Sequence, residues 1–460
     1  MRTKHVVVIG AGISGLTAAF WLKQQGVPVT VLERDAVPGG TMRTTHDAGW
    51  LVETGPNSAL ETTPVIGAML DILGLTRDRL YADEASNNRY ILRGGTLHAL
   101  PMSPPAFLRS RLWTTRGKLR LLKEPFVGRA GREETIAEFV ERRLGREFLD
   151  YAINPFVAGV FAGDPGQLSV QSAFPKLYAL EEKYGGLIRG MIGGARERKK
   201  RAEVAKDRAK MFSFTRGMQQ FPDTIAEHLG MAVQCNCAVT AIGVQPSGGD
   251  RGLSFTVDYM LGGRVSRLEA TDVVLAVPAY AAAALIDTHS PTLAEALRGI
   301  SYPPVAEVFL GYRQDQCGRP LDGFGYLIPA VEQRSILGTI WSSALFPGRA
   351  PDGHCALTTF VGGSRQPAMV ALPDAELLAN VRRELAEIMA VRGEPVYARV
   401  IRWEKAIPQY DLGHRKVMAM VDALEASHPG LVVCSNYRGG IAVGDCVRNG
   451  KEVAGRIVGE

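Results

Sequence analysis

Cysteine is scarce in this chain, and none of it forms a CxxC pair. Six occur in 460 residues: Cys235, Cys237, Cys317, Cys355, Cys434 and Cys446. That removes the redox and zinc motifs built on CxxC spacing. Cys235 and Cys237 stand two apart, on one face if they lie in a strand. They read as buried reduced thiols, with metal ligation as the alternative. No run of about 18 apolar residues is present, so no spanning helix is expected. No h-region with a cleavage site follows Met1, and the chain enters an apolar strand at once. The expectation is a cytoplasmic protein. Net charge is only +6, which permits anionic partners without demanding nucleic acid. There is no visible internal repeat, no evident catalytic triad and no metal cluster. One segment is biased: Ala195 to Lys210, "ARERKKRAEVAKDRAK", is mostly charged. It reads as a solvated loop or helix, with membrane electrostatics as the second reading. No aromatic platform or DNA-reading motif accompanies it, so no nucleic-acid partner is expected.

What is present is ordinary globular composition, 46% hydrophobic and 22% charged, at a length that suggests two or three domains. "HVVVIG" reads as a strand buried on both faces. "SGLTAAFWLKQQG" reads as a helix closed by Gly26, and "VPVTVLE" as a second strand ending at Glu33. Between the first strand and its helix, Gly10, Gly12 and Gly15 have G-x-G-x-x-G spacing. The first glycine permits a tight turn, the second a close phosphate, the third close helix–strand packing. The helix N-terminus faces a diphosphate, and Glu33 can accept from ribose hydroxyls. The chain from about Thr63 to Glu203 reads as mostly helical, and Pro303 to Gly363 as strand-rich. A second glycine loop, "NYRGGIAVGDCVRNG", runs from Asn436 to Gly450.

The first fingerprint does not separate NAD from FAD. The stretch "ERDAVPGGTMRT" places Gly39, Gly40 and Arg43 just past the acidic strand end. It resembles the extension in flavoprotein amine oxidases, phytoene desaturases and their relatives, where the cofactor is buried FAD. In that superfamily the last strand returns to the first domain and sets a second helix N-terminus near the flavin. The resemblance therefore assigns Gly439, Gly440, Ile441, Ala442 and Val443 to a second grip on one cofactor. An independent second nucleotide site is the rival, and no full β-α-β unit surrounds that loop.

Along essentially its whole length the chain resembles the oxygen-dependent protoporphyrinogen oxidases of the heme pathway. The motifs are "GAGISGL", "ETGPNS", "NPFVAGVFAGDP", "FTRGMQQFPDTI", "GFGYLIP", "FVGGSR", "IPQYDLGH" and the C-terminal loop. The fold it implies is mixed α/β in three interleaved parts. These are a Rossmann-like FAD-binding domain (1–60, 212–290, 400–460), a sheet-based substrate domain (61–87, 291–399) and a helical membrane-associating domain (88–211). By the same resemblance, non-covalent FAD contacts Gly10, Gly12, Ser14, Gly15, Glu33, Arg34, Gly40, Thr41, Arg43, Gly55, Pro56, Asn57, Val239 and Trp403, besides the second loop. Arg89 matches an arginine that pairs with a substrate propionate, and Asn57 an asparagine beside the flavin and the reacting macrocycle. Leu327, Ile340 and Phe360 match an apolar clamp, the family usually having leucine where Ile340 stands. Ala162 and Gly163 line the same cavity. Each has a plainer reading: Arg89 a surface arginine, the clamp ordinary core, Asn57 a cap for a helix starting near Ser58.

The implied reaction is three two-electron oxidations of protoporphyrinogen IX to protoporphyrin IX, with O2 as acceptor and hydrogen peroxide released. Coproporphyrinogen is the close alternative. An amine oxidase is more distant: Val308 stands roughly where those enzymes carry a lysine. A flavin- or heme-binding module is the non-enzyme rival. Phe107, Leu108, Leu112, Trp113 and Leu119 alternate with Arg109, Arg111, Arg116, Lys118 and Arg120. Apolar anchors among basic neighbours suit a peripheral contact with an anionic leaflet, an ordinary helix pair being the alternative. A homodimer is left open.

Overall fold

A computed structural model describes residues 4–83, 88–193, 209–246 and 253–459. Its centre is the first apolar strand. Val6–Ile9 has all four residues buried and lies mid-sheet in the order Val233–Gln234, Val29–Leu32, Val6–Ile9, Asp272–Leu275, Leu431–Val433. Every pairing in this sheet is parallel. Both faces are covered, which is why the strand is a continuous β-branched run. Val6 and Val8 face a cluster with Leu16, Phe20, Val447 and Ala454. Val7 and Ile9 face another with Ala282, Leu293, Val421 and Leu424. The helix Ile13–Gln24 follows the glycine turn, and Gly26 ends it with φ of 72°. The antiparallel strands Ala238–Pro246, Leu253–Leu261 and Arg264–Ala270 bridge Val233–Gln234 to Asp272–Leu275.

The second sheet has seven strands, ordered Tyr397–Trp403, Val305–Arg313, His354–Gly362, Gly338–Ile340, Gly323–Leu327, Asn88–Arg93, Thr96–Ala99. The helix Asp374–Met389 covers its back through Leu377, Val381 and Leu385. Two expected boundaries differ. Residues 88–99, read as the start of the helical part, form a hairpin at the edge of this sheet. Gly94 and Gly95, both at positive φ, make its two-residue turn. Residues 61–83, read with the substrate part, pack instead beneath the parallel sheet. The helix Pro64–Ile72 sends Ile66, Met69 and Leu70 into that core. Arg79–Tyr81 pairs with Met211–Phe214, which also pairs Ala59–Leu60.

Most of 104–193 is helical, held by a buried ionic knot. Arg143, with no exposed side chain, donates from Nη1 to Glu124 (2.8 Å) and from Nε to Glu181 (2.8 Å). Arg142 bridges Glu134 and Glu181. The basic–apolar stretch divides in two. Leu112 and Trp113 are core, not anchors: Trp113 stacks on Phe148 at 4.8 Å, and Phe107 packs partly against them. Leu108 (70% exposed) and Leu119 do face outward, joined by Leu122 and Phe126 (85%). Among the described residues no helix is long and apolar enough to cross a membrane. The basic run lies outside the described residues except for its last two positions.

The helices Ile13–Gln24 and Val443–Val458 cross where Gly450 meets Ser14 and Thr17. A Cβ on Gly450 would lie 2.8 Å from Thr17 Cβ and 2.9 Å from the Ser14 carbonyl oxygen. Alanine gains about 1 kcal/mol over glycine in a helix, but overpacking costs about 1–3 kcal/mol. We expect Gly450→Ala to lower the melting temperature; a rise would contradict the close crossing.

Candidate active site

Parallel strands put their carboxyl ends on one edge, and loops leaving that edge form a crevice. Gly10–Gly12 leaves Val6–Ile9 there, and the segment from Cys434 to Gly440 leaves Leu431–Val433 there, with Asp272–Leu275 between. The two glycine loops therefore face one crevice. A side chain at Gly15 would overlap the Gly10 carbonyl, and one at Gly10 would lie 2.7 Å from the Ala276 carbonyl oxygen. A side chain at Gly12 would meet nothing within 4 Å, so this is the open position. The helices beginning at Ile13 and Val443 have no side-chain cap, leaving their first-turn N–H groups for an anion. Ser14 and Gly15 lie in that first turn, buried.

Glu33 accepts from Ala11 N (2.7 Å) and Asp35 N (2.9 Å). A carboxylate has about four acceptor positions, so two remain for hydroxyls. The Cys237 and Asn236 amides bond Glu33 and Asp35 carbonyls, setting half-buried Val239 beside this end. Gly39 N bonds the Ala11 carbonyl, and Gly40 approaches Gly12. Arg43 donates to the Gly40 and Val37 carbonyls, but its buried Nη1 has no partner among the described residues. An acceptor is missing there, as a phosphate would supply. Arg34 is at the rim, its side chain 76% exposed beside Asp35. Gly55 lies so close to the Thr41 carbonyl that no side chain fits between. These residues fit a long dinucleotide diphosphate, and FAD in particular given the second loop.

That second loop is pinned by a residue the sequence reading passed over. Tyr410 Oη donates to the Asn436 carbonyl (2.7 Å) and accepts from Gly440 N (3.0 Å). His414 stacks on Tyr410 at 4.2 Å and bonds the Tyr437 carbonyl through Nε2, which must carry the proton. Burial lowers the His414 pKa to about 4, so it stays neutral. Ile441 packs against the Tyr410 cluster, Ala442 is the N-cap and Val443 opens the helix.

The seven-stranded sheet collects the remaining candidates by register. Arg89 stands opposite Gly325, Gly325 opposite Ile340, and Ile340 opposite Thr358. In the next row Leu327, Gly338, Phe360 and Glu307 follow one another across the strands. Period-two geometry puts both rows on one face, with Gly338 between Leu327 and Phe360. Ala162 packs with Phe360, and its carbonyl accepts from Ser364 N; Gly163 lies against Gln409. Leu327 also leans on Gly159 and the Trp113 cluster. Asn57 lines a cavity of about 10 Å³ with Ile340 and Thr358. It is no helix cap: the next helix starts at Pro64 under Thr63. Pro56 adjoins it, and Trp403 Nε1 donates to the Thr54 carbonyl (2.7 Å). Arg89 is accessible to solvent, and the protein around it partly desolvates the guanidinium and lowers its pKa. It stays cationic, rests near the Phe324 ring at 5.9 Å, and has no carboxylate partner among the described residues.

Val308 is not on the site face. Val308 points into the core behind the sheet, so its identity says nothing about the site face. Glu307 points forward. It is buried, with Oε2 lacking a partner among the described residues. Above it lies Glu53, which accepts from Thr44 (2.6 Å) and Met218 N (2.9 Å), with Arg349 at 3.6 Å. Burial pushes the Glu53 pKa up to about 7, against the pull of Arg349. Burial, then Glu53, raises Glu307 well above the carboxylate range. Two such acids cannot both ionise, and Glu307, with fewer donors, is the neutral one. The alternation in "VAEVFLGY" is the signal that could have exposed it.

A family model described as flavin containing amine oxidoreductase matches residues 13–458. Protoporphyrinogen oxidase 2, chloroplastic/mitochondrial, of Arabidopsis thaliana is 33% identical over 478 residues, covering 99% of this chain and 94% of the relative. Coproporphyrinogen III oxidase of Bacillus subtilis (strain 168) is 29% identical over 467 residues, covering 97% and 96%. A solved structure from Exiguobacterium sp. 255-15 matches with a TM-score of 0.78 at 22% identity, covering 99% of each chain; it speaks for the fold.

Glu307 has a folded pKa above its unfolded value. Its contribution to stability is complete below the unfolded pKa, about 4.3, and is lost as pH rises toward the folded value. Glu307→Gln should therefore gain on the wild type between pH 5 and 8, by up to about 1.4 kcal/mol per pH unit. Melting curves at several pH values check this; a constant difference would remove the neutral-acid assignment. Arg43→Ala should weaken FAD retention at least about tenfold, read as flavin released on dilution.

Proposed function

The chain belongs to the flavin-containing amine oxidoreductase family and binds FAD, and from that premise we propose that it oxidises protoporphyrinogen IX to protoporphyrin IX, with dioxygen as acceptor and hydrogen peroxide as by-product. The observation that carries this reading is the sheet face itself. Leu327, Ile340 and Phe360 share that face, and Arg89, a cation without a carboxylate partner among the described residues, stands on it opposite Gly325. A flat, greasy macrocycle bearing propionates has that complement. The Arabidopsis relative, by its name, acts on the same substrate.

Bound FAD supplies the two-electron acceptor. The chain's own residues do the rest. The apolar clamp excludes water and orients the macrocycle, a contribution of position rather than of strong acid–base chemistry. Arg89 neutralises a propionate and fixes its end of the substrate. Asn57, tethered by Nδ2 to the Gly55 carbonyl at 3.2 Å, keeps its amide oxygen available at the junction of the two sheets. Cys434 is not a candidate for a covalent flavin link in this reading. It is buried, burial raises its pKa, and its thiol points at the Ser14 carbonyl. For delivery of a poorly soluble substrate, we place the chain at a membrane surface through Leu108, Leu119, Leu122 and Phe126. They are exposed beside the likewise exposed Arg109, Arg111 and Arg116.

Incubation with protoporphyrinogen in air should give porphyrin fluorescence and about three peroxides for each porphyrin, one per two-electron step. Coproporphyrinogen, the substrate named for the Bacillus relative, is run alongside. Its four propionates call for further cations at the same rim, and faster turnover of it would transfer the assignment. Arg89→Ala should raise KM about 10- to 100-fold, the loss of one charge-assisted hydrogen bond, with flavin content unchanged. Loss of flavin in that variant would refute the propionate role.

A further inference from the structure

The back of the seven-stranded sheet carries two thiols that the proposed reaction does not use. Cys355 is the second residue of His354–Gly362, opposite Tyr312, and packs with Leu357 and Val361 on the face away from Phe360. Cys317 follows the turn Gln314–Gln316 at the end of the neighbouring strand. Their Sγ atoms are 2.8 Å apart, inside ordinary contact distance for unbonded sulfurs. Both are held in place. Gln316 Nε2 donates to the Arg392 and Glu394 carbonyls, each at 2.9 Å, and its own carbonyl accepts from Arg392 N. Gln314 N is bonded to the Gly353 carbonyl at the start of the Cys355 strand. A groove of about 560 Å³, lined also by Arg319, Ser343 and His354, opens onto the pair.

We propose that Cys317 and Cys355 form a reversible redox site, closed to a disulfide by hydrogen peroxide or another hydroperoxide and reopened by a thiol reductant. Half-exposed Cys317 is the attacking sulfur. Its pKa is lowered by the bond from the Cys355 thiol, against burial and Asp315, while that of Cys355 is raised. The sulfur displaces one peroxide oxygen as water and becomes a sulfenic acid. The Cys355 sulfur then displaces the second oxygen, also as water. Two thiol hydrogens and two electrons pass to one peroxide, and one S–S bond forms. The bond closes a span of 38 positions, which restrains the unfolded chain. It joins two strands already paired, on the face away from Phe360.

The test uses the reduced, full chain. After a few-fold excess of hydrogen peroxide, the protein is denatured in alkylating agent and its mass and peptides are measured. The expected result is the loss of two of the six thiols, a peptide joining Cys317 to Cys355, and reversal by dithiothreitol. The oxidised protein should melt a few degrees higher. Cys317→Ser should abolish both changes, while Cys235→Ser should leave them intact. Six alkylated thiols after treatment, linkage through other cysteines, or sulfonic acid at Cys317 without linkage would each overturn the proposal.

Discussion

The close crossing of the first and last helices is the constraint from which the site follows. Gly450 lets Val443–Val458 lie against Ser14 and Thr17, with the strands feeding those helices in one parallel sheet. A bulkier residue would separate the helices, and with them the two uncapped N-termini. A single diphosphate group has no need of two such ends. A long cofactor does, because one end of it is anionic throughout and the other gains charge on reduction. Tyr410 completes the arrangement by fixing the second loop through both Asn436 and Gly440.

The other half of the site depends on register more than on any single residue. Gly325 and Gly338 both sit at positive φ, and a Cβ at either would strike a carbonyl of the paired strand, that of Thr339 or Tyr326, so this register on the sheet face needs glycine at both. Beneath it the electrostatics are tightly balanced. Arg349 is one buried cation facing Glu53, with Glu307 behind. The pair costs desolvation energy that neither acid recovers fully, since a lone guanidinium cannot serve two carboxylates in a dry interior.

Much of this was legible beforehand, for definite reasons. Gly10, Gly12, Gly15 and Glu33 are fixed by local geometry, so spacing alone located them. That Leu327, Ile340 and Phe360 share one face was reached only through family likeness, because three apolar residues on separate strands have no sequence signature. What escaped notice was tertiary. Leu112 and Trp113 have the same local pattern as Leu108 and Leu119, and only Phe148, distant in sequence, separates core from surface. Glu307 and Val308 are neighbours whose roles are decided by which way the strand faces. The Gly94–Gly95 turn was a readable hairpin signal, overlooked beside the helical stretch that follows.

The interleaving of the parallel sheet also affects how the protein is made. Val6–Ile9 is synthesised first, yet one of its two neighbours is Asp272–Leu275 and one of the sheet's two outer strands is Leu431–Val433. At about 5–20 residues per second, a nascent chain carries that apolar strand for tens of seconds before its second partner emerges. During this interval an unpaired edge is displayed to the cell. A cofactor site complete only once the final helix has been released is the order of assembly that this topology imposes.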